Sequence, residues 1–503
     1  MGKVMHKIVF RICIIVIFSG CSATNTFSTR TLTTEQNKNH IISLAELYSY
    51  IKEYSPFLNN DILNNLNEKY FELSNKIMYE NESDKYKIYT YFEELLAVIN
   101  DGHAAVLYEK GSLPPFYFLP VGLDYADGKY YLSYKENDIE IPLGSELIKI
   151  DDEDPKKYLL NNIAKYIPVK TPHAFESYMI KRLLYSSQKG KIKFTFKVDR
   201  TEVNLELKYS IPNDKISSIK FNKIPAYYDK LNKIYSSHNF SVYKIKEKYT
   251  LIQIHNFLDY HIIDEFIEKI IPLIENSAHL ILDIRKNSGG NSSIGFAIIK
   301  ILTGKTDTEI SSIDIKNFQR RLTPILITLT EIKDKNLKMI NHDTFIKLNS
   351  FINDGNLMKA HQLLMPVKED EILQQIDDFF MKNNEMEELE KKLIAAANKY
   401  KIDNKNITVF TSYKSGSACD DFACFCKELN IRVLGTNTKG ATGNIGIFKL
   451  TNNFSFALSL QKTMYKSMEI NNKGISPDIF IMDTIEDIKN QNDPCLNFVL
   501  ENL

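Results

Sequence analysis

Tryptophan is absent from the 503 residues, while Lys, Ile and Asn abound, which reflects codon composition rather than function. Net charge is missing too, because 63 Lys and Arg stand against 63 Asp and Glu. Phosphate binding needs a concentrated basic surface, so nothing electrostatic points to nucleic acid as a partner. No HExxH or comparable cluster of histidines and acids occurs, which makes a metal-dependent hydrolase the least supported enzyme class; no metal and no cofactor is expected. Cysteine is scarce, at six in all. Cys13 and Cys21 belong to the N-terminal segment, and Cys419, Cys424 and Cys426 follow a C-x4-C-x-C spacing without the paired CxxC knuckles of a zinc site. These three and Cys495 are expected to be core thiols, with a disulfide as the lesser alternative.

What is present is ordinary for globular protein, with 44% hydrophobic and 11% aromatic residues. The length favours two to four domains. Lys3, Lys7 and Arg11 precede an apolar core from Ile12 to Phe18, too short for a stable bilayer anchor and typical of a secretory signal. The run ends FSGC, which resembles the lipobox at which bacterial lipoproteins are cleaved and acylated on cysteine, with Phe18 where leucine is usual. Residues 1–21 are therefore expected to be a lipoprotein-type signal with Cys21 as lipidation site, and the protein to sit in the cell envelope. Simple cleavage near Gly20 is the alternative. Residues 22–40, rich in Ser, Thr and Asn, read as a tether.

From 41 to 112 the apolar spacing is helical, as in Leu44, Leu47, Tyr48 and Ile51, and the helices stop at Asn100-Asp101-Gly102. His103 follows at once, on a loop entering a short apolar strand. Residues 113–212 read as a β-rich module, with hairpins turning at Asp127-Gly128 and Asp199-Arg200. PLGSELIKIDDEDPKKYL, from 142 to 159, resembles the back half of a PDZ domain. Residues 213–248 read as a connector. From 249 to 490 strands and helices alternate, which argues for parallel or mixed sheet with crossover helices. A helical insertion over 305–405 interrupts that alternation, and 491–503 reads as a tail.

Two places in the alternating region carry chemistry. DIRKNSGG, from 283 to 290, ends a strand in two glycines that permit a turn whose N–H groups can face a ligand oxygen. TSYKSGSACDDFA, from 411 to 423, reads as strand, tight loop and helix, with Ser417 where the helix begins. Orphan N–H groups and the positive end of the helix dipole would stabilise an oxyanion there. An N-cap serine would use the same groups without chemistry.

These two motifs, with GTNTKGATGN (435–444) and KGISPDI (473–479), resemble in their order the tail-specific, or C-terminal-processing, serine protease family, including its tricorn-core and retinoid-binding-protein-like branch. DGH at 101–103 extends the resemblance toward the N-terminus. It implies an α/β fold (α+β multidomain) with a ClpP/crotonase-like βα core, an N-terminal helical domain and a PDZ-like module. It also implies a serine peptidase acting on unstructured polypeptide, with Ser417 as nucleophile and an oxyanion hole of Gly289, Gly290 and the N–H of Ala418. For the base, Ala441 stands where Ser-Lys members carry lysine, so His103 is favoured over Lys439. Glu469 is the candidate to orient the imidazole, although it lies five positions before Gly474 rather than three; a solvated loop carboxylate is the alternative. A non-catalytic protein binding apolar ligands or peptides on the same fold remains the competing function. Oligomeric state is open.

Overall fold

The computed structural model describes residues 35–79, 84–108, 116–259, 261–304, 318–322, 391–392, 395–396, 399–443, 445–465 and 468–502. The expected signal, Cys21 and most of the tether lie outside them. Within them, no helix is long and apolar enough to cross a membrane.

A seven-stranded sheet forms the centre. Its strands run in the spatial order 232–236, 240–245, 249–254, 279–283, 407–411, 432–435 and 479–480. The first three are antiparallel neighbours, and from 249–254 onward every pairing is parallel. Parallel strands need crossovers, which helices supply. Helix Ser292–Thr303 leaves the end of the 279–283 strand, and helix Ala418–Glu428 leaves that of 407–411. Alternate residues of each strand serve opposite layers. Leu280, Leu282, Val409 and Val433 pack with Phe266, Ile298 and Phe422. Ile281, Phe410 and Leu434 pack with Tyr228, Leu496 and Val499 on the other face. Burial on both faces explains why these strands read as unbroken apolar runs.

Three expected boundaries shift for this reason. The connector 213–248 supplies the strands Asn232–Ser236 and Phe240–Ile245 of the central sheet. The tail contains the helix Pro494–Asn502, whose Leu496 and Val499 close the second layer. Helix Glu35–Tyr54 begins inside the expected tether, with Asn37 and His40 buried. Of the insertion 305–405, Phe318–Leu322 is a strand, antiparallel to Gln461–Tyr465, rather than helix. Most of the rest falls outside the described residues, including nearly all of the expected helical runs.

The expected hairpins form with the turns at Asp127-Gly128 and Asp199-Arg200. Helix Pro172–Leu183 lies in their core, with Ala174, Met179 and Ile180 fully buried. The helices Glu35–Tyr54, Asn60–Tyr79 and Lys85–Ala97 do not stand apart. They share a core with Phe448, Phe456 and Leu458, from the late strands Ile445–Lys449 and Phe454–Ser459. The strand Ala105–Tyr108 completes this arrangement by pairing antiparallel with Phe454–Ser459. Its register sets Ala105 against Ala457, and it carries the preceding Asp101-Gly102-His103 turn to the C-terminal side of the molecule.

Candidate active site

Ser417 stands at the start of helix Ala418–Glu428 with φ 56° and ψ −120°, and its side chain makes no cap hydrogen bond. An N-cap residue has extended backbone and spends its hydroxyl on the helix N–H groups. Ser417 does neither. Positive φ on a residue with a Cβ is strained and persists only where its surroundings over-determine it. The determinants are visible here. Ser417 N–H donates to Ala441 O at 2.7 Å, and Lys439 N–H donates to Ser415 O at 2.7 Å. The carboxylate of Asp420 anchors the same loop by accepting from the Thr438 hydroxyl, from Gly440 N–H at 2.9 Å and from Ala441 N–H at 3.2 Å. Burial pushes the Asp420 carboxyl up to about 7 against the pull of these donors.

Gly289 presses on the serine from the other side. Its φ is +111°, and a Cβ there would lie 2.6 Å from both Ser417 Cβ and Gly416 O, so only glycine fits. The oxyanion donors need one correction. The Gly289 N–H is engaged by Asn287 Oδ1 at 2.8 Å, as the Asn side chain folds back over its own turn. Gly290 is held with φ +136° against Phe257 O, and among the described residues neither its N–H nor that of Ala418 donates to a backbone carbonyl.

The turn that carries His103 reaches the Ser417 loop through Ala441. A Cβ on Gly102 would come within 2.6 Å of Ala441 Cβ, while Ala441 O holds Ser417 N–H. The imidazole Nδ1 is 2.9 Å from Ser459 Oγ; Nε2 is buried and, among the described residues, without a hydrogen-bond partner. Ser459 Oγ in turn donates to Asp101 Oδ1 at 2.8 Å. Asp101, fully buried, also accepts from Ser459 N–H at 2.6 Å and His103 N–H at 2.9 Å. The tautomer follows from this chain. The single Ser459 proton is committed to Asp101, so Ser459 Oγ can only accept from the ring. Nδ1 therefore carries the hydrogen and Nε2 the lone pair. Burial holds the imidazole down to about 4; the Asp101 charge opposes that shift and the Lys439 charge adds to it. The ring is neutral at neutral pH.

Glu469 sits on a short strand with Met464 opposite. Ser459, with Asp101 behind it, fills the place beside the ring that Glu469 was expected to take. Sequence offered no signal for Ser459, one more position in a period-2 strand, and Asp101 registered only as a helix stop. Lys439 sends its ammonium over the Tyr178 ring, 5.1 Å from the centroid, and packs its methylenes against Gly416. It makes no hydrogen bond to Ser417. All four cysteines of the core are free and buried.

Arg285, between the 279–283 strand and the glycine turn, is buried among Asp283, Asp493 and Tyr228. It ties the turn to the C-terminal helix. Removing one member of such a buried ionic cluster strands the others.

No curated protein matches the chain. Among solved structures, mature CPAF complexed with lactacystin aligns over 91% of this chain and 96% of its own, at 16% identity and TM-score 0.59. A point mutant of CPAF covers 93% and 97% at 15% identity and TM-score 0.60. The photosystem II D1 C-terminal processing protease covers 89% and 94% at 11% identity and TM-score 0.40. At such identities the CPAF structures establish a shared fold. A sequence-family model, Peptidase family S41, matches residues 248–481. The segment 248–481, with its strained serine and glycine turn, belongs to peptidase family S41, the tail-specific serine proteases.

Proposed function

We propose that this serine peptidase cleaves unstructured polypeptide with Ser417 as nucleophile and His103 as general base. The observation that carries the reading is a strained, uncapped Ser417 on a loop tied through Ala441 to the turn that bears His103, whose Nε2 is buried and, among the described residues, without a hydrogen-bond partner. His103 Nε2 takes the hydroxyl proton as Ser417 Oγ attacks the scissile carbonyl carbon. The N–H groups of Gly290 and Ala418 receive the resulting oxyanion; losing one such donor typically costs about 10²- to 10³-fold in rate. His103 then protonates the departing amine, and water attacks the acyl-enzyme by the same route in reverse. Asp101 and Ser459 hold the ring in the required tautomer. Lys439 is a poor second candidate for the base, because its ammonium is turned to Tyr178.

Purified protein should react with a fluorophosphonate probe and the Ser417→Ala variant should not. Equal labelling of both would reject the reading and favour a binding protein on the same fold. The N-terminal composition supports export, with a lipid anchor on Cys21. Metabolic labelling with a fatty acid should mark the wild type and spare Cys21→Ala; label on neither would leave the chain without this anchor.

A further inference from the structure

A cavity of about 470 Å³ opens beside His103, between helix Lys85–Ala97, the 166–169 segment and helix Pro172–Leu183. Its wall is largely apolar and aromatic, with Tyr89, Leu96, Val106, Val169 and Tyr185 among the lining residues. Four of its side chains are cations or anions. Arg182 is paired with Glu93 at 2.9 Å, and Lys181 with Asp124 at 3.2 Å. Lys439 is the fourth cavity charge, and among the described residues no carboxylate pairs with it. Its position is fixed nonetheless. The Lys439 backbone is tied by N–H to Ser415 O and by its carbonyl to the Thr171 hydroxyl, and its stem lies against Gly416. The ammonium is thus held beside the residue preceding the nucleophile, close enough for its charge to act on the His103 ring.

We propose that this cavity is the substrate subsite next to the scissile bond, and that Lys439 makes it select a polypeptide segment presenting a carboxylate beside an apolar side chain. The proposal rests on the peptidase reading of Ser417 and His103, and deepens it by naming what the site prefers. The physical reason is complementarity. An apolar wall takes a bulky side chain by burial. A half-buried ammonium that, among the described residues, meets a tyrosine face and no carboxylate gains a charge-assisted hydrogen bond when a carboxylate arrives, and gains little from a neutral amide. The carboxylate could be an acidic side chain or the end of a chain, since both present the same two oxygens.

The test uses the full chain carrying Ser417→Ala and fluorescent peptides in matched pairs. One pair ends in a free carboxylate or a carboxamide after an aromatic residue; another carries Asp or Asn beside the aromatic residue, scanned along the peptide. Affinity is read by anisotropy. The acid member should bind about tenfold tighter in one position, the size of a charge-assisted hydrogen bond over a neutral one. Adding Lys439→Gln should erase the difference, Lys439→Arg should keep it, and thermal melting checks that both fold. The first pair responding identifies a chain terminus as the source, and the second an acidic side chain. Equal affinity within every pair, a preference that survives Lys439→Gln, or no binding of any peptide would overturn the proposal. Labelling of wild-type Ser417 by fluorophosphonate is read separately. A carboxylate preference without labelling keeps Lys439 as a carboxylate-binding site and sinks the peptidase reading with the place beside a scissile bond, and labelling without preference keeps the peptidase reading and sinks the carboxylate site.

Discussion

Ser459→Ala isolates the contact that sets the His103 tautomer. Ser459 is fully buried and supplies the acceptor 2.9 Å from Nδ1. Truncation removes the Ser459 acceptor from Nδ1, leaving the Thr442 carbonyl beside the ring, and takes one donor from Asp101 Oδ1. It does not touch the Ser459 N–H bond to Asp101. The ring is then free to place its hydrogen on Nε2, where it blocks proton uptake from Ser417. A hydrogen bond of this kind, with a charged group behind it, is worth about 1–3 kcal/mol. At 1.4 kcal/mol per tenfold, the acylation rate should fall about 5- to 150-fold. The assay is single-turnover acylation by a fluorophosphonate or an activated ester, with melting temperature measured in parallel. Stability should drop by about 1–3 kcal/mol as well, the cost of leaving buried partners of the hydroxyl unsatisfied. Glu469→Gln in the same assay should slow the reaction less than Ser459→Ala. A Ser459→Ala protein that folds and acylates at the wild-type rate would refute the tautomer argument, and a larger loss from Glu469→Gln would return the orienting role to that residue.

Three other outcomes follow from the same geometry. Because burial holds His103 near 4 instead of 6.5, acylation should be half-maximal near pH 4 and flat above pH 6; at pH 5.5 about 97% of the rings would be neutral, against about 9% for an unperturbed histidine. The depressed value also means that its contribution to stability is complete above 6.5 and declines as pH falls toward 4, which acid titration of the melting temperature would register. Gly289→Ala should lower acylation at least about 100-fold while the protein stays folded, because the new methyl would meet Ser417 Cβ at 2.6 Å and displace the nucleophile; an active alanine variant would mean that the serine can move aside. Asp420→Ala leaves three buried donors around 438–441 unsatisfied, so chemical denaturation should show a loss of about 3 kcal/mol or more together with lost labelling of Ser417.

The sequence by itself determined the local grammar. Strand, turn and helix around Ser417, the glycine turn after Asp283, and the hairpins at Asp127-Gly128 and Asp199-Arg200 follow from side-chain periodicity and turn chemistry, which act over a few residues. The proposed pairing of Ser417 with His103 came from the order of motifs that resemble a family, not from that local grammar. Tertiary structure decided what those residues meet. Whether Ser417 caps its helix or bends away from it depends on Ala441 and Gly289, brought in by a later loop and by the glycine turn that follows the 279–283 strand. That Ser459 serves the imidazole depends on an antiparallel pairing between residues 105–108 and 454–457, which brings Ser459 to Asp101, 358 positions away, and leaves no trace in local pattern. The strands at 232–245 and the helix at 494–502 were missed for the same reason: their apolar faces are short, and only the central sheet gives them something to cover.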